Sequence, residues 1–257
     1  MMKAELLEIQ GVSIPKLGLG TWNLRGKACT EVVKEALNLG YRHIDTAVFY
    51  DNEEEVGEGI ADFPREELFL TTKIWKDKLH YEDFLRSTEN SLRRLDTEYV
   101  DLLLIHWPNS AVPLEETLRA MDELMEEGKV RAIGVSNFDR ELLQRAEKLA
   151  RNPILNDQVK YHINNNQGEL LNYCQEKQIS LTAYSPLGRG ETLQLKKVKK
   201  MAQKYGKSPA QISLRWLVQQ ENVIAIPKAS SPDHLKENMA LFDWELEKED
   251  MERLGQN

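Results

Sequence analysis

Eight short apolar segments, each followed by a stretch with helical spacing, constrain this chain more than any other feature. They span residues 17–21, 43–46, 68–73, 100–106, 131–136, 155–159, 179–184 and 223–226. Strands alternating with helices imply a parallel sheet joined by crossover connections. Eight is the closure number of a parallel barrel, so the pattern predicts an α/β fold of the (β/α)8 TIM-barrel type. Residues 6–9 and 12–14, joined by Gln10-Gly11, read as an N-terminal β-hairpin acting as a lid on the barrel's lower end. At 257 residues the chain suits one such barrel, and residues 1–257 are expected to form a single domain.

The helical stretches carry recognisable ends. Thr30 is placed to cap a helix whose apolar face includes Val33, Ala36 and Leu37, stopped by Gly40. Leu114, Leu118, Met121 and Met125 form a core stripe stopped by Gly128. Ser208-Pro209-Ala210-Gln211 has the form of a capping box, and Ser231-Pro232 opens a helix in the same way. Lys196 to Lys200 reads as a solvated helix face.

Leu102-Leu103-Leu104-Ile105 is apolar on both faces and then ends in His106. A buried strand carries a polar group cheaply only where it emerges, which puts His106 at the carboxyl rim, where α/β barrels do chemistry. The other strands end alike, in Asp45, Lys73, Ser136-Asn137, Gln158, Tyr184 and Lys228. Singly, each has a plain structural use: a loop cap for Asp45, an extended stem for Lys73, packing for Tyr184, a core histidine for His106. Seven polar strand ends on one rim argue for a shared purpose.

Adjacent strands would pair Asp45 with Lys73, and the ammonium would favour ionisation of a nearby phenol. Tyr50, in the loop after the second strand, can supply that phenol. An ordinary tyrosine titrates near ~10, so a neighbouring cation is expected to tune it as an acid. His106 could orient a carbonyl oxygen toward the phenolic proton. A carbonyl reduced this way needs a hydride donor, and no side chain is one.

Charge narrows the partners. A formal net charge of −8 lacks the basic footprint of a nucleic-acid or anionic-membrane surface, so neither partner is expected. Met1-Met2-Lys3-Ala4-Glu5 has no apolar targeting core and no stretch of ~18 apolar residues occurs, which predicts a cytoplasmic protein. Cys29 and Cys174 share no metal-ligand spacing and are expected as free buried thiols; no metal site is expected.

Together these segments resemble the aldo-keto reductase superfamily, through nearly the whole chain. The resemblance rests on Gly18-Leu19-Gly20-Thr21-Trp22, on His43-Ile44-Asp45-Thr46-Ala47 followed by Tyr50 and Glu55-Val56-Gly57, and on Thr71-Thr72-Lys73-Ile74-Trp75. It continues through His106-Trp107-Pro108, Gly134-Val135-Ser136-Asn137-Phe138, Tyr184-Ser185-Pro186-Leu187-Gly188 and Ile226-Pro227-Lys228. The short loops are similar to those of short microbial, diketogluconate reductase-like members.

The resemblance implies a catalytic tetrad of Asp45, Tyr50, Lys73 and His106, with Tyr50 the acid in reduction. It implies NADP(H) as cofactor, with NAD(H) as a second. Ser136, Asn137 and Gln158 would hold the nicotinamide carboxamide and Tyr184 would stack on the ring. Ser185, Pro186, Leu187 and Gly188 would meet the pyrophosphate, and Lys228 the 2′-phosphate, in a set that also takes in Thr21, Ser230, Ser231, His234, Glu237 and Asn238. Trp22, Val48, Trp75 and Trp107 would line the approach of a small-molecule carbonyl substrate to Tyr50.

Ala229 and His234 stand where strongly NADPH-preferring members carry serine and arginine, which predicts a reduced but not reversed preference for NADPH. The family is often monomeric, and a monomer is expected. A separate Rossmann domain is not expected: Gly18-Leu19-Gly20 is followed by Trp22 without a paired acidic residue at the right distance. Two other readings stand beside the reductase: a nucleotide-binding regulatory subunit on the same fold with little turnover, and a barrel aldolase using Lys73 as a Schiff base.

Overall fold

The computed structural model describes residues 4–256. Met1-Met2-Lys3, part of the N-terminal stretch read above for targeting, lies outside the described residues. The chain opens with an antiparallel hairpin, β1 (Leu6–Ile9) and β2 (Val12–Pro15), turned by Gln10 and Gly11 at φ 49° and 77°. Left-handed backbone at both central positions suits the right-handed twist of the paired strands.

Eight parallel strands follow: β3 (Leu19–Gly20), β4 (His43–Asp45), β5 (Phe69–Ile74), β6 (Leu102–Ile105), β7 (Ile133–Ser136), β8 (Ile154–Lys160), β9 (Ser180–Tyr184) and β10 (Val223–Ala225). Each pairs with its sequence neighbours, and the ring closes where Leu17 bridges Ala225 and Gly18 N–H donates to the Ala225 carbonyl at 2.9 Å. Closure depends on glycine: a Cβ on Gly20 would lie 2.6 Å from the Ile226 carbonyl oxygen. This is the structural use of the Gly18-Leu19-Gly20 run.

Among the described residues, ten α-helices surround the strands: α1 (Gly26–Leu39), α2 (Glu53–Ile60), α3 (Tyr81–Arg94), α4 (Leu114–Glu126), α5 (Arg140–Leu149), α6 (Gly168–Glu176), α7 (Lys196–Tyr205), α8 (Pro209–Val218), α9 (Pro232–Met239) and α10 (Lys248–Gly255). The capping box at Ser208 forms as read, and Ser231 caps α9. Gly40 ends α1 in left-handed backbone at φ 108°. Thr30 is a correction. The helix begins four residues before it, because Cys29, Val33, Ala36 and Leu37 make one continuous buried stripe, and Thr30 donates instead to Glu58 at 3.1 Å. Cys29 and Cys174 are buried free thiols.

Strand β6 shows why a fully apolar run is needed. Leu103 and Ile105 face the helical layer, while Leu102 and Leu104 point into the barrel with Phe69, Ala132, Leu155 and Ile224. Ile9 and Ile14 of the hairpin join that inner cluster, so β1 and β2 plug the amino-terminal end as expected of a lid. Higher in the barrel the interior turns polar. Asn156 donates to Ser180 Oγ and Thr182 Oγ1 at 2.8 and 2.7 Å, and His43 meets Thr71 Oγ1 at 3.2 Å. Apolar filling below gives way to polar side chains above, and the carboxyl rim carries the charge.

Candidate active site

Tyr50 reaches the rim through a short 3-10 turn, Val48–Tyr50, which follows β4. Buried Asn52 pins that turn: its amide donates to the Thr21 and Leu24 carbonyls at 2.9 and 3.1 Å and accepts from Thr46 Oγ1 at 2.8 Å. Below it, Glu53 accepts from Thr72 Oγ1 at 2.5 Å and from Arg94 Nη2 at 2.6 Å. The phenol is thereby held over the end of β5.

Lys73, fully buried on β5, donates to Asp45 Oδ1 at 2.6 Å, to the Thr46 carbonyl at 2.8 Å and to the Tyr50 hydroxyl at 3.3 Å. An ammonium has three hydrogens, and each has an acceptor. Gln158 Nε2 donates to the other carboxylate oxygen, Asp45 Oδ2, at 2.8 Å. Because Lys73 donates to the phenolic oxygen, the phenol's own hydrogen points elsewhere and is available to the cavity.

Burial alone would lower the Lys73 pKa, but Asp45 and the phenol outweigh it and the pKa is raised, so the group is an ammonium ion. Tyr50 corrects the expectation from sequence. Burial raises its pKa, and the Lys73 charge and hydrogen bond reduce that rise without cancelling it. The phenol is therefore a firmly protonated donor.

His106 is buried beside Tyr50, the two rings meeting edge-on with centroids 5.6 Å apart. Burial, then the Lys73 charge, pushes its pKa to about 3, so the imidazole is neutral. Nδ1 is buried without a partner. An orphaned N–H there would cost more than an orphaned lone pair, which assigns the proton to Nε2, the nitrogen facing the cavity.

Ser136, Asn137 and Tyr184 are knitted together. Ser136 Oγ donates to the Gln158 carbonyl at 2.7 Å, Asn137 Nδ2 donates to the His106 carbonyl and Ser136 Oγ at 3.0 Å each, and Tyr184 donates to Asn137 Oδ1 at 2.9 Å. Asn137 takes left-handed backbone, φ 62°, to turn its amide inward.

A cavity of about 250 Å³ opens above these groups, lined by Trp22, Asp45, Tyr50, Trp75, His106, Trp107, Ser136, Asn137, Gln158, Tyr184, Ser185 and Lys228. Sequence reasoning missed Phe49, Arg189, Gly20 and Ile226, which complete the lining. Phe49 stands in the place expected of Val48: it stacks on Trp75 at 4.0 Å, while Val48 turns away to pack against the core. The signal was the one-residue offset that a 3-10 turn introduces. Thr21 is also corrected. It is fully buried and donates to the Asp45 carbonyl at 3.0 Å, so it supports Asp45 and offers no contact surface.

The remaining expected residues do not line the cavity. Pro186 and Gly188 are buried and Leu187 is packed on the core, in the turn below the mouth. Ser230, Ser231 and His234 gather at the start of α9, where Ser231 Oγ accepts from His234 N–H at 3.3 Å. Glu237 is half-buried and Asn238 buried in that helix. Among the described residues, no helix is long and apolar enough to cross a membrane.

A closed eight-stranded barrel that gathers a phenol, an ammonium, a carboxylate and a neutral imidazole at its carboxyl rim has the make-up of a barrel enzyme. The Aldo/keto reductase family model matches residues 16–256. The chain is 43% identical over 247 residues to glyoxal reductase of Bacillus subtilis, covering 95% of this chain and 89% of that protein. It superposes at a TM-score of 0.96, with 41% identity, on a structure provisionally assigned as a 2,5-diketo-D-gluconic acid reductase B, covering 99% of this chain and 91% of that one. An aldo-keto reductase of Bombyx mori in complex with NADP superposes at 0.92 with 32% identity, over 99% and 93% of the two chains.

The chain belongs to the aldo/keto reductase family and is an NAD(P)H-dependent oxidoreductase acting on carbonyl groups.

Proposed function

We propose that the chain reduces small aldehydes, dicarbonyls and keto sugars to alcohols, with Asp45, Tyr50, Lys73 and His106 as its catalytic residues. The observation that carries this reading is the bond set of Lys73, which takes the phenolic oxygen of Tyr50 as acceptor and leaves its hydrogen free at the cavity wall. In reduction Tyr50 gives that proton to the carbonyl oxygen, and in the reverse oxidation the phenolate takes it back. Lys73 stabilises the phenolate, and Asp45, held by Gln158, keeps the lysine charged. His106 Nε2–H donates to the carbonyl oxygen and orients it toward the phenol. An aldolase reading is disfavoured, since a Schiff base needs a neutral amine and Lys73 is an ion with every hydrogen engaged.

NADP(H), when bound, supplies the hydride. The residues present fit it. Ser136, Asn137 and Gln158 each keep an acceptor lone pair for the carboxamide, and the half-buried Tyr184 ring is tethered by Asn137. Ser185, Pro186, Leu187 and Gly188 would border the pyrophosphate. Lys228 makes no ion pair among the described residues and stands before the amino terminus of α9, which suits a 2′-phosphate, with Ser230, Ser231 and His234 beside it and Glu237 and Asn238 beyond. NAD(H) is the second cofactor, because His234 lacks the fixed charge of an arginine. The same reading takes the chain as one barrel domain working as a cytoplasmic monomer, supported by a site drawn from one chain; sedimentation velocity checks the oligomeric state.

The test is the initial rate of reduced-nucleotide consumption, with NADPH and NADH side by side, on glyoxal, an activated aldehyde and a keto sugar acid. Turnover with an NADPH preference below about a hundredfold, or about 2.7 kcal/mol, is expected. Tyr50→Phe should lower reduction by about 10²–10⁴-fold while nucleotide still binds. Tight binding without turnover on any substrate would favour the regulatory-subunit reading instead.

A further inference from the structure

The mouth has walls of two kinds. One is aromatic: Trp22, Phe49 and Trp107 are exposed there, and among the described residues Leu6 of the hairpin is the only other large hydrophobic side chain exposed. The other wall, from the loops after β9 and β10, presents Arg189 and Lys228. Lys228 has a use in the reading above; Arg189 has none.

Arg189 is exposed at the cavity and makes no hydrogen bond, ion pair or ring contact among the described residues. Its backbone is pinned. Gly188 N–H donates to the Ser185 carbonyl and Gly190 N–H to the Leu187 carbonyl, both at 2.8 Å, and Thr192 Oγ1 ties to the Leu187 carbonyl at 2.9 Å. Gly188, Arg189 and Gly190 are all left-handed, at φ 55°, 54° and 96°, a conformation arginine adopts rarely. An unpaired guanidinium on a fixed turn, facing a cavity in a chain of net charge −8, is an anion receptor by its chemistry: its planar fork matches a carboxylate or a phosphate.

We propose that Arg189 binds the acid group of the carbonyl substrate, so that the enzyme selects anionic carbonyl compounds with a planar or apolar body: it lines the same cavity as Tyr50 and His106. The pyrophosphate of the nucleotide offers the same oxyanion chemistry, and capture of Arg189 by it instead is the competing outcome of the test. The substrate arm rests on the reductase reading. The nucleotide arm needs no turnover.

Arg189→Gln and Arg189→Lys separate the sources. The first measurement is the Kd of NADPH and of NADH, read by quenching of the mouth tryptophans. The second is the ratio of kcat/KM for 4-carboxybenzaldehyde to that for 4-methylbenzaldehyde, repeated as calorimetric Kd values of the corresponding alcohols on nucleotide-loaded protein. A fall in the acid-to-neutral ratio of about tenfold in the Gln variant, partly restored by Lys, assigns Arg189 to the substrate acid. An equal weakening of NADPH and NADH with an unchanged acid-to-neutral ratio gives Arg189 to the pyrophosphate and overturns the proposal; Lys228→Gln, by contrast, should weaken NADPH alone. Kd values and ratios that stay within twofold of the parent in both arms overturn the proposal. Failure of the reductase reading would appear separately, as absence of turnover in the parent chain.

Discussion

Gln158 donates to Asp45 Oδ2 at 2.8 Å, joining the ends of two strands that are far apart around the barrel. With Lys73 on the other oxygen, both carboxylate oxygens are engaged, and the second bond holds the group in place against the ammonium. Gln158→Leu strips one buried acceptor of its partner, which costs about 1–3 kcal/mol. Chemical denaturation should show that loss. An unchanged midpoint would mean that water replaces the amide at no cost.

The pH profile of reduction should be flat across the ordinary histidine range. His106, with its pKa pushed to about 3, is neutral at every working pH, and Tyr50, raised above its ordinary value, stays protonated through neutrality. Loss of the proton on Tyr50 should end reduction only in strongly alkaline solution, whereas the reverse oxidation, which needs the phenolate, should rise with pH. A break in kcat/KM near ~6.5 in the forward direction would contradict the neutral imidazole.

Asp157 is a buried carboxyl on β8 whose two oxygens have no hydrogen-bond partner. Burial raises its pKa well above the ordinary value, and the neighbouring Phe138 N–H, which falls short of hydrogen-bond geometry, offsets this only in part. For a carboxyl raised in the folded state, its contribution to stability is fully present below the unfolded pKa near ~3.9 and is lost as pH rises through the folded one. Asp157→Asn should therefore stabilise the chain at pH 7, by about 1 kcal/mol or more, or roughly 2–4 °C in Tm, with the gain shrinking as pH falls toward ~4. Equal Tm values at pH 7 would count against it.

Phe49 lies between two parallel rings, 4.0 Å from Trp75 and 6.0 Å from Trp22, and narrows the mouth. Phe49→Ala should widen it. The ratio of kcat/KM for a bulky aryl ketone to that for a small aldehyde is expected to rise by about tenfold, the scale of one or two methylenes in an apolar pocket. Since Phe49 is 46% exposed, stability should change by less than about 1 kcal/mol. An unaltered ratio would show that the limit on size lies elsewhere.

Much of this protein was legible in the chain itself. All eight strands of the barrel, its amino-terminal plug, the capping box at Ser208 and the polar strand ends from Asp45 to Lys228 follow from apolar periodicity and from what a buried strand can carry where it emerges. Those features are local, or repeat with the period of one element, and a linear sequence records them directly. What only the tertiary structure decided involves partners from distant elements. The pairing of Gln158 with Asp45, the support of the Tyr50 turn by Asn52, and the choice of Phe49 over Val48 as the wall of the mouth depend on which side chains closure brings together. So does the sign of the Tyr50 shift, since burial and the Lys73 charge oppose each other and only the packed structure determines which is larger.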